Sequence, residues 1–212
     1  MNIDWYFDFI SPYSYFQSER LPALPAGVTL RPRAILFAGL LDHWGQKGPA
    51  EIPAKRAFTY RQSQWVATRD GIPFRFPPVH PFNPIKALRL AVGMDESLEA
   101  IHAIFRHVWA EGRLTESSED WAVLAGAVGL SPGEATARIG APEVKARLIR
   151  NGHDAVAAGV FGVPTLMVDG IAFWGYDATA MALDYVRDPQ AFMGEEMRRV
   201  SDLPIGVRRP GS

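Results

Sequence analysis

Strand-like patterning is confined to the two ends of this chain, and that separation constrains the fold more than any other feature. Near the N-terminus, Ile3, Trp5, Phe7 and Phe9 alternate and share one face of a strand expected over Ile3 to Phe9. Tyr6 is also large, so both faces read as covered, as in a central strand of an α/β sheet. Val28 to Ala34 reads as a second strand, reached by a crossover of the βαβ kind. β character then vanishes until "GVFGVPTLMVDGIAFWGYD". There Thr165 to Val168 and Ile171 to Trp174 flank Asp169-Gly170, the signature of a two-residue hairpin turn.

The intervening chain is helical in pattern. Helices are expected over 85–94, 98–111, 119–128, 132–139 and 143–158, and Leu98, Ile101, Ile104, Phe105, Val108 and Trp109 make one apolar stripe. Residues 38–60 are rich in Gly, Pro and polar groups, with "GQKGPAEIPAKR" read as a loop. "GIPFRFPPVHPFNP" is a second proline-rich connection, ending in Asn83-Pro84 as a helix cap with proline at the first position. A helix after Asp177, another over 189–200 and a frayed tail from Pro204 complete the chain. The expected organisation is α/β: a discontinuous sheet domain of residues 1–36 and 160–212, and a helical insertion of residues 37–159.

Composition removes several functions. The 212 residues, 48% hydrophobic, suffice for a core without staples. A net charge of −1 with no long run of one sign argues against nucleic acid or a polybasic membrane tether. No stretch approaches the ~18 apolar residues that span a bilayer. The N-terminus enters a strand directly, without signal-peptide character, which points to a cytoplasmic setting. The histidines are scattered, and His102 and His107 are five apart rather than at metal-pair spacing, so no metal site is expected. The chain has no cysteine. Disulfide exchange, protein thiolate catalysis and Cys-type zinc sites are thereby excluded, and any thiol chemistry needs a thiol brought from outside.

That exclusion bears on "FDFISPYSYF" (residues 7–16). Ser11 and Pro12 are a favoured N-cap and first-position pair for a helix expected to run to about Leu24. A serine there is an ordinary cap; it also stands where unpaired backbone N–H groups favour an anion. Asp8 reads either as a buried acid near that point or as a solvent-facing strand residue. Trp44, Tyr60, Trp65 and Phe82 read as core aromatics first and as pocket walls second.

The chain resembles the thioredoxin superfamily and, more narrowly, the 2-hydroxychromene-2-carboxylate isomerases, relatives of kappa-class glutathione transferases and DsbA-type disulfide oxidoreductases. "FDFISPYSYF" carries the match with serine where the oxidoreductases have Cys-Pro-x-Cys. Val163-Pro164-Thr165 matches the cis-proline loop, and "FWGYD" the Phe-Trp-Gly-x-Asp motif, all around a helical insertion of the expected size. The resemblance implies a thioredoxin-like fold, a homodimer and glutathione as cofactor. Ser11 would hold its thiolate, Val163 and Pro164 would pair with its extended backbone, and Asp177 would bind its γ-glutamyl ammonium or simply cap a helix. It also implies reversible thiolate addition to a chromene carboxylate, giving a trans-benzylidenepyruvate. Lys47 is the first candidate for the substrate carboxylate, with Lys55 and Arg33 behind it. Two positions depart from the pattern: Gly48 stands where Asn is expected, and Ala178 where Arg often follows the aspartate. Conjugation of glutathione to an electrophile, or non-catalytic binding of glutathione or a peptide, are the alternatives.

Overall fold

A computed structural model describes residues 1–21 and 24–207. Strand β1 (Asn2–Phe7) leads into helix α1 (Pro12–Ser18), then β2 (Thr29–Ala34). Seven helices follow: α2 (Phe37–Trp44), α3 (Pro53–Asp70), α4 (Ile85–Gly93), α5 (Leu98–Trp109), α6 (Ser118–Ala127), α7 (Pro132–Gly140) and α8 (Pro142–Ala157). The hairpin β3 (Thr165–Val168) and β4 (Ile171–Trp174) returns to the sheet, and α9 (Thr179–Arg187) and α10 (Glu195–Ser201) close the described chain. The sheet order is β2-β1-β3-β4, with β1 parallel to β2 and antiparallel to β3. This is the α/β sheet with a helical insertion after its second strand that the sequence predicts.

Period-2 burial holds along β1. Ile3, Trp5, Phe7 and Phe9 are all fully buried and pack with Phe105 and Trp109 of α5 and Leu88 of α4 in one cluster. Tyr6 faces the other way into a second cluster with Ile35, Leu40, Ala155, Val160 and Met167. Two layers therefore cover the sheet, and the first is built jointly by the strands and the insertion. The hairpin turn has φ of 49° at Asp169 and 80° at Gly170, the doubly positive geometry that Asp-Gly favours.

Three expectations are corrected. Helix α1 ends at Ser18, with Glu19 and Arg20 turning back onto the carbonyls of Tyr15 and Gln17; of the prolines expected to end it, Pro22 lies outside the described residues. Of the stretch 45–56 read as loop, the part from Pro53 onward is already the first turn of α3. Helix α3 has no apolar stripe because its inward residues are mostly small, Thr59, Ser63, Val66 and Ala67. Trp44 and Trp65 are exposed rather than core residues. Of the tail read as frayed, residues 208–212 lie outside the described residues. No helix of the described residues is long and apolar enough to cross a membrane.

Candidate active site

Strand register defines one end of the sheet. Phe7 pairs with Ala34, Tyr6 with Thr165, and Thr165 with Trp174. The connections 8–11, 35–36, 163–164 and 175–178 therefore all leave the sheet at the C-terminal end of β1. Ser11, Val163 and Pro164 converge there.

Ser11 is nearly buried and caps α1, its Oγ accepting the Ser14 N–H at 3.2 Å. The Tyr15 N–H goes to the Ser11 carbonyl, and Pro12 has no N–H. The hydroxyl hydrogen of Ser11 has no acceptor among the described residues, so it is free to donate. Helix α1 has only 7 residues, so local donors count for more than a macrodipole.

The loop that carries Ser11 is held at every residue. The Trp109 Nε1–H donates to the Phe9 carbonyl at 2.8 Å. His80 Nε2 lies 3.0 Å from the Ile10 carbonyl, and a carbonyl only accepts, so Nε2 carries the proton. Ser11 N–H donates to the Asp8 carbonyl at 3.1 Å. The Asp8 carboxylate accepts the N–H of Ile10 at 3.0 Å and of Phe37, the first residue of α2, at 2.8 Å. Asp8 is fully buried, and burial pushes its pKa up to about 7 despite those backbone donors. It is thus the buried acid of the two readings. Burial lowers the His80 pKa.

The Val163-Pro164 bond is cis. Pro164 C=O accepts the Gly175 N–H at 2.8 Å, and Thr165 Oγ1 donates to the Gly162 carbonyl at 2.8 Å. Among the described residues the N–H and C=O of Val163, a buried residue, make no hydrogen bond. The Trp174 ring covers Gly162, where no Cβ fits, and meets Phe161 edge-on at 5.2 Å.

Asp177 is exposed. The N-cap position of α9 is Ala178, which makes no side-chain cap, so Asp177 is not the cap residue. Its Oδ1 lies against Gly175, φ 99°, where a Cβ would come within 2.5 Å. Its charge adds to burial, the main cause, in raising the pKa of Tyr13. Tyr13 also donates its hydroxyl to Gln62 of α3 at 2.6 Å.

The cation candidates separate. Lys47, in the connection from α2 to α3, and Lys55, in the first turn of α3, are both exposed. Arg33 lies on β2 and pairs with Asp4 at 3.3 Å, beside Arg31 at 2.7 Å; it is committed within the sheet. Gly48 sits where a Cβ would be 3.0 Å from Glu51 Oε1 and 3.1 Å from Leu41 Cδ1, so the departure at this position fits its local packing. The sequence reading missed the stapling roles of Trp109 and His80, that of Tyr60, whose hydroxyl donates to the His80 carbonyl at 2.9 Å, and the strap from α3, where Tyr176 donates to Asp70 at 2.7 Å.

The family model for the DSBA-like thioredoxin domain matches residues 2–187. A curated 2-hydroxychromene-2-carboxylate isomerase of Pseudomonas putida is 28% identical over 209 residues, covering 96% of this chain and 99% of the relative. A kappa 1 glutathione S-transferase of Caenorhabditis elegans is 25% identical over 89% of this chain and 92% of its own. A solved 2-hydroxychromene-2-carboxylate isomerase superposes with a TM-score of 0.73 at 26% identity, over 97% of this chain and all of the other. With a Cys-free helix start, a cis-proline loop and an insertion after its second strand, the chain belongs to the DSBA-like thioredoxin domain family.

Proposed function

We propose that the protein is a glutathione-dependent isomerase of the 2-hydroxychromene-2-carboxylate type. The observation that carries this reading is that an uncommitted Ser11 hydroxyl and the unpaired backbone of Val163 lie at the same end of the sheet. The relatives' names, isomerase and kappa transferase, support the same chemistry. Glutathione, when bound, supplies a sulfur nucleophile whose reversible addition makes a substrate double bond single, so that rotation is free before the sulfur leaves.

The chain's own groups do the rest. Val163 offers one N–H and one C=O to the extended tripeptide, as a strand edge does. Ser11 donates its O–H to the sulfur, and stabilising the anion over the neutral thiol lowers the thiol's pKa. Because residues 8–11 are tied down before any ligand arrives, that donor needs no reorganisation. Asp177 offers its carboxylate to the γ-glutamyl ammonium, and Lys47 with Lys55 offers positive charge to the substrate carboxylate. Arg33 has no part, since Asp4 holds it. In this reading the protein works as a cytoplasmic homodimer, as the family resemblance implies.

Incubation with glutathione and the chromene carboxylate tests the proposal. Isomerised substrate with all glutathione recovered free supports it; a stable conjugate instead assigns the kappa-like transferase reaction. Ser11→Ala is expected to lower turnover by ~10²-fold and to raise the pKa of the bound thiol, read by thiolate absorbance. An unshifted titration would reduce Ser11 to a helix cap.

A further inference from the structure

A second cavity lies outside the site described. Helices α2, α4 and α8 enclose a groove of about 570 Å³, within the range of small-ligand pockets. Its floor is apolar, with Leu40 and Leu148 buried beneath it and Ile85 at its wall. None of the Ser11, Val163, Pro164 or Asp177 residues lines it.

Its charge is one-sided. Arg89 and Lys145 line the groove, and among the described residues no acidic one does. Two arginines beside other cavities are matched by carboxylates, Arg147 by Glu96 at 2.7 Å and Asp95 at 3.2 Å, and Arg113 by Asp120 at 2.9 Å. Arg89 is the arginine whose Nε is buried without a hydrogen-bond partner among the described residues. A guanidinium with one buried unpaired donor among apolar walls carries a desolvation cost that an anion would offset. A carboxylate is the planar acceptor that guanidinium geometry matches best.

We infer that this groove binds a small monocarboxylate with an apolar body, the carboxylate on Arg89 and the body along Leu40, Ile85 and Leu148. Lys145, exposed at the rim, adds to the attraction of the anion. The site is separate from the thiol site and does not depend on the isomerase reading.

Calorimetry with naphthoate and octanoate as probes, on the full chain, tests this. Wild type is expected to bind at least one of them, and to bind neutral naphthalene far less well. Naphthoate preference would mark an aromatic acid as the ligand, octanoate preference an alkyl one. Arg89→Met, similar in length and in helix preference, should weaken binding by more than 10-fold, while Arg89→Lys retains part of it. Gly152→Leu provides a second variant: a Cβ there meets nothing within 4 Å, so the side chain would fill the groove and block both probes. Ser11→Ala and saturating glutathione should leave binding unchanged. No binding of either acid by wild type, equal binding by Arg89→Met or by Gly152→Leu, or displacement by glutathione would overturn the inference.

Discussion

Replacing Asp8 with asparagine should change the pH dependence of stability in a direction fixed by the structure. The buried carboxyl titrates at about 7, against an ordinary 3.8. Between those values the folded protein keeps a proton that the unfolded chain has released. Stability from this group is therefore full at low pH, falls as pH rises by up to ~1.4 kcal/mol per unit, and levels off above pH ~7. The whole span is about 4 kcal/mol, and roughly 3 kcal/mol of it lies between pH 5 and 8. His80 and His107, whose pKa values burial lowers, act in the opposite sense, adding stability as pH rises toward 6.5. The wild-type curve alone is thus a sum, and the difference from Asp8→Asn isolates the acid. Asparagine keeps one acceptor for the Phe37 or Ile10 amide and turns an N–H₂ toward the other, a roughly pH-independent loss of about 1–3 kcal/mol. Urea unfolding across this range should show wild type losing roughly 3 kcal/mol relative to Asp8→Asn as pH rises. Parallel curves would refute the assignment of a proton to buried Asp8.

Two further outcomes follow from named contacts. Asp177→Asn removes the charge but little volume from a residue that caps nothing; it should weaken glutathione binding by about 10-fold in calorimetry while leaving the unfolding midpoint unchanged. Glu96 is buried at φ 54°, accepting the Ala34 N–H at 2.7 Å, Asn151 Nδ2 at 2.8 Å and Arg147 at 2.7 Å. Glu96→Ala takes the acceptor from the Ala34 N–H at the end of β2 and one acceptor each from Asn151, which keeps the Ala34 carbonyl, and Arg147, which keeps Asp95. It should cost about 3 kcal/mol in urea unfolding, and a loss under about 1 kcal/mol would mean that water replaces the carboxylate.

What the sequence exposed and what it hid divide on physical lines. The strands were legible because Ile3, Trp5, Phe7 and Phe9 alternate without a break, and because Asp169-Gly170 names its own turn. Helices α4 to α8 were legible as helix-like runs, α5 most clearly by its apolar stripe, whereas the serine caps Ser97 and Ser131 went unread. Helix α3 was hidden because it contacts its neighbours through small and polar side chains. At the site, Ser11, Val163-Pro164 and Asp177 stood in short motifs. Their supports did not: Trp109 and His80 are ordinary aromatics far along the chain, and nothing local says that they grip the carbonyls of Phe9 and Ile10. Arg33 looked available only because its partner, Asp4, lies on the neighbouring strand.

The sheet's split has a consequence for biosynthesis. Strand β1, with its buried Ile3, Trp5 and Phe7, emerges from the ribosome before the other strands, while its antiparallel neighbour β3, paired through Tyr6 and Thr165, emerges near the end. Until then one edge of a greasy ribbon stays open on the nascent chain, where wrong partners compete. Early docking of the Phe105 and Trp109 helix against that ribbon would shelter its face but not its edge, so yield in the cell should depend on how soon the final hairpin arrives.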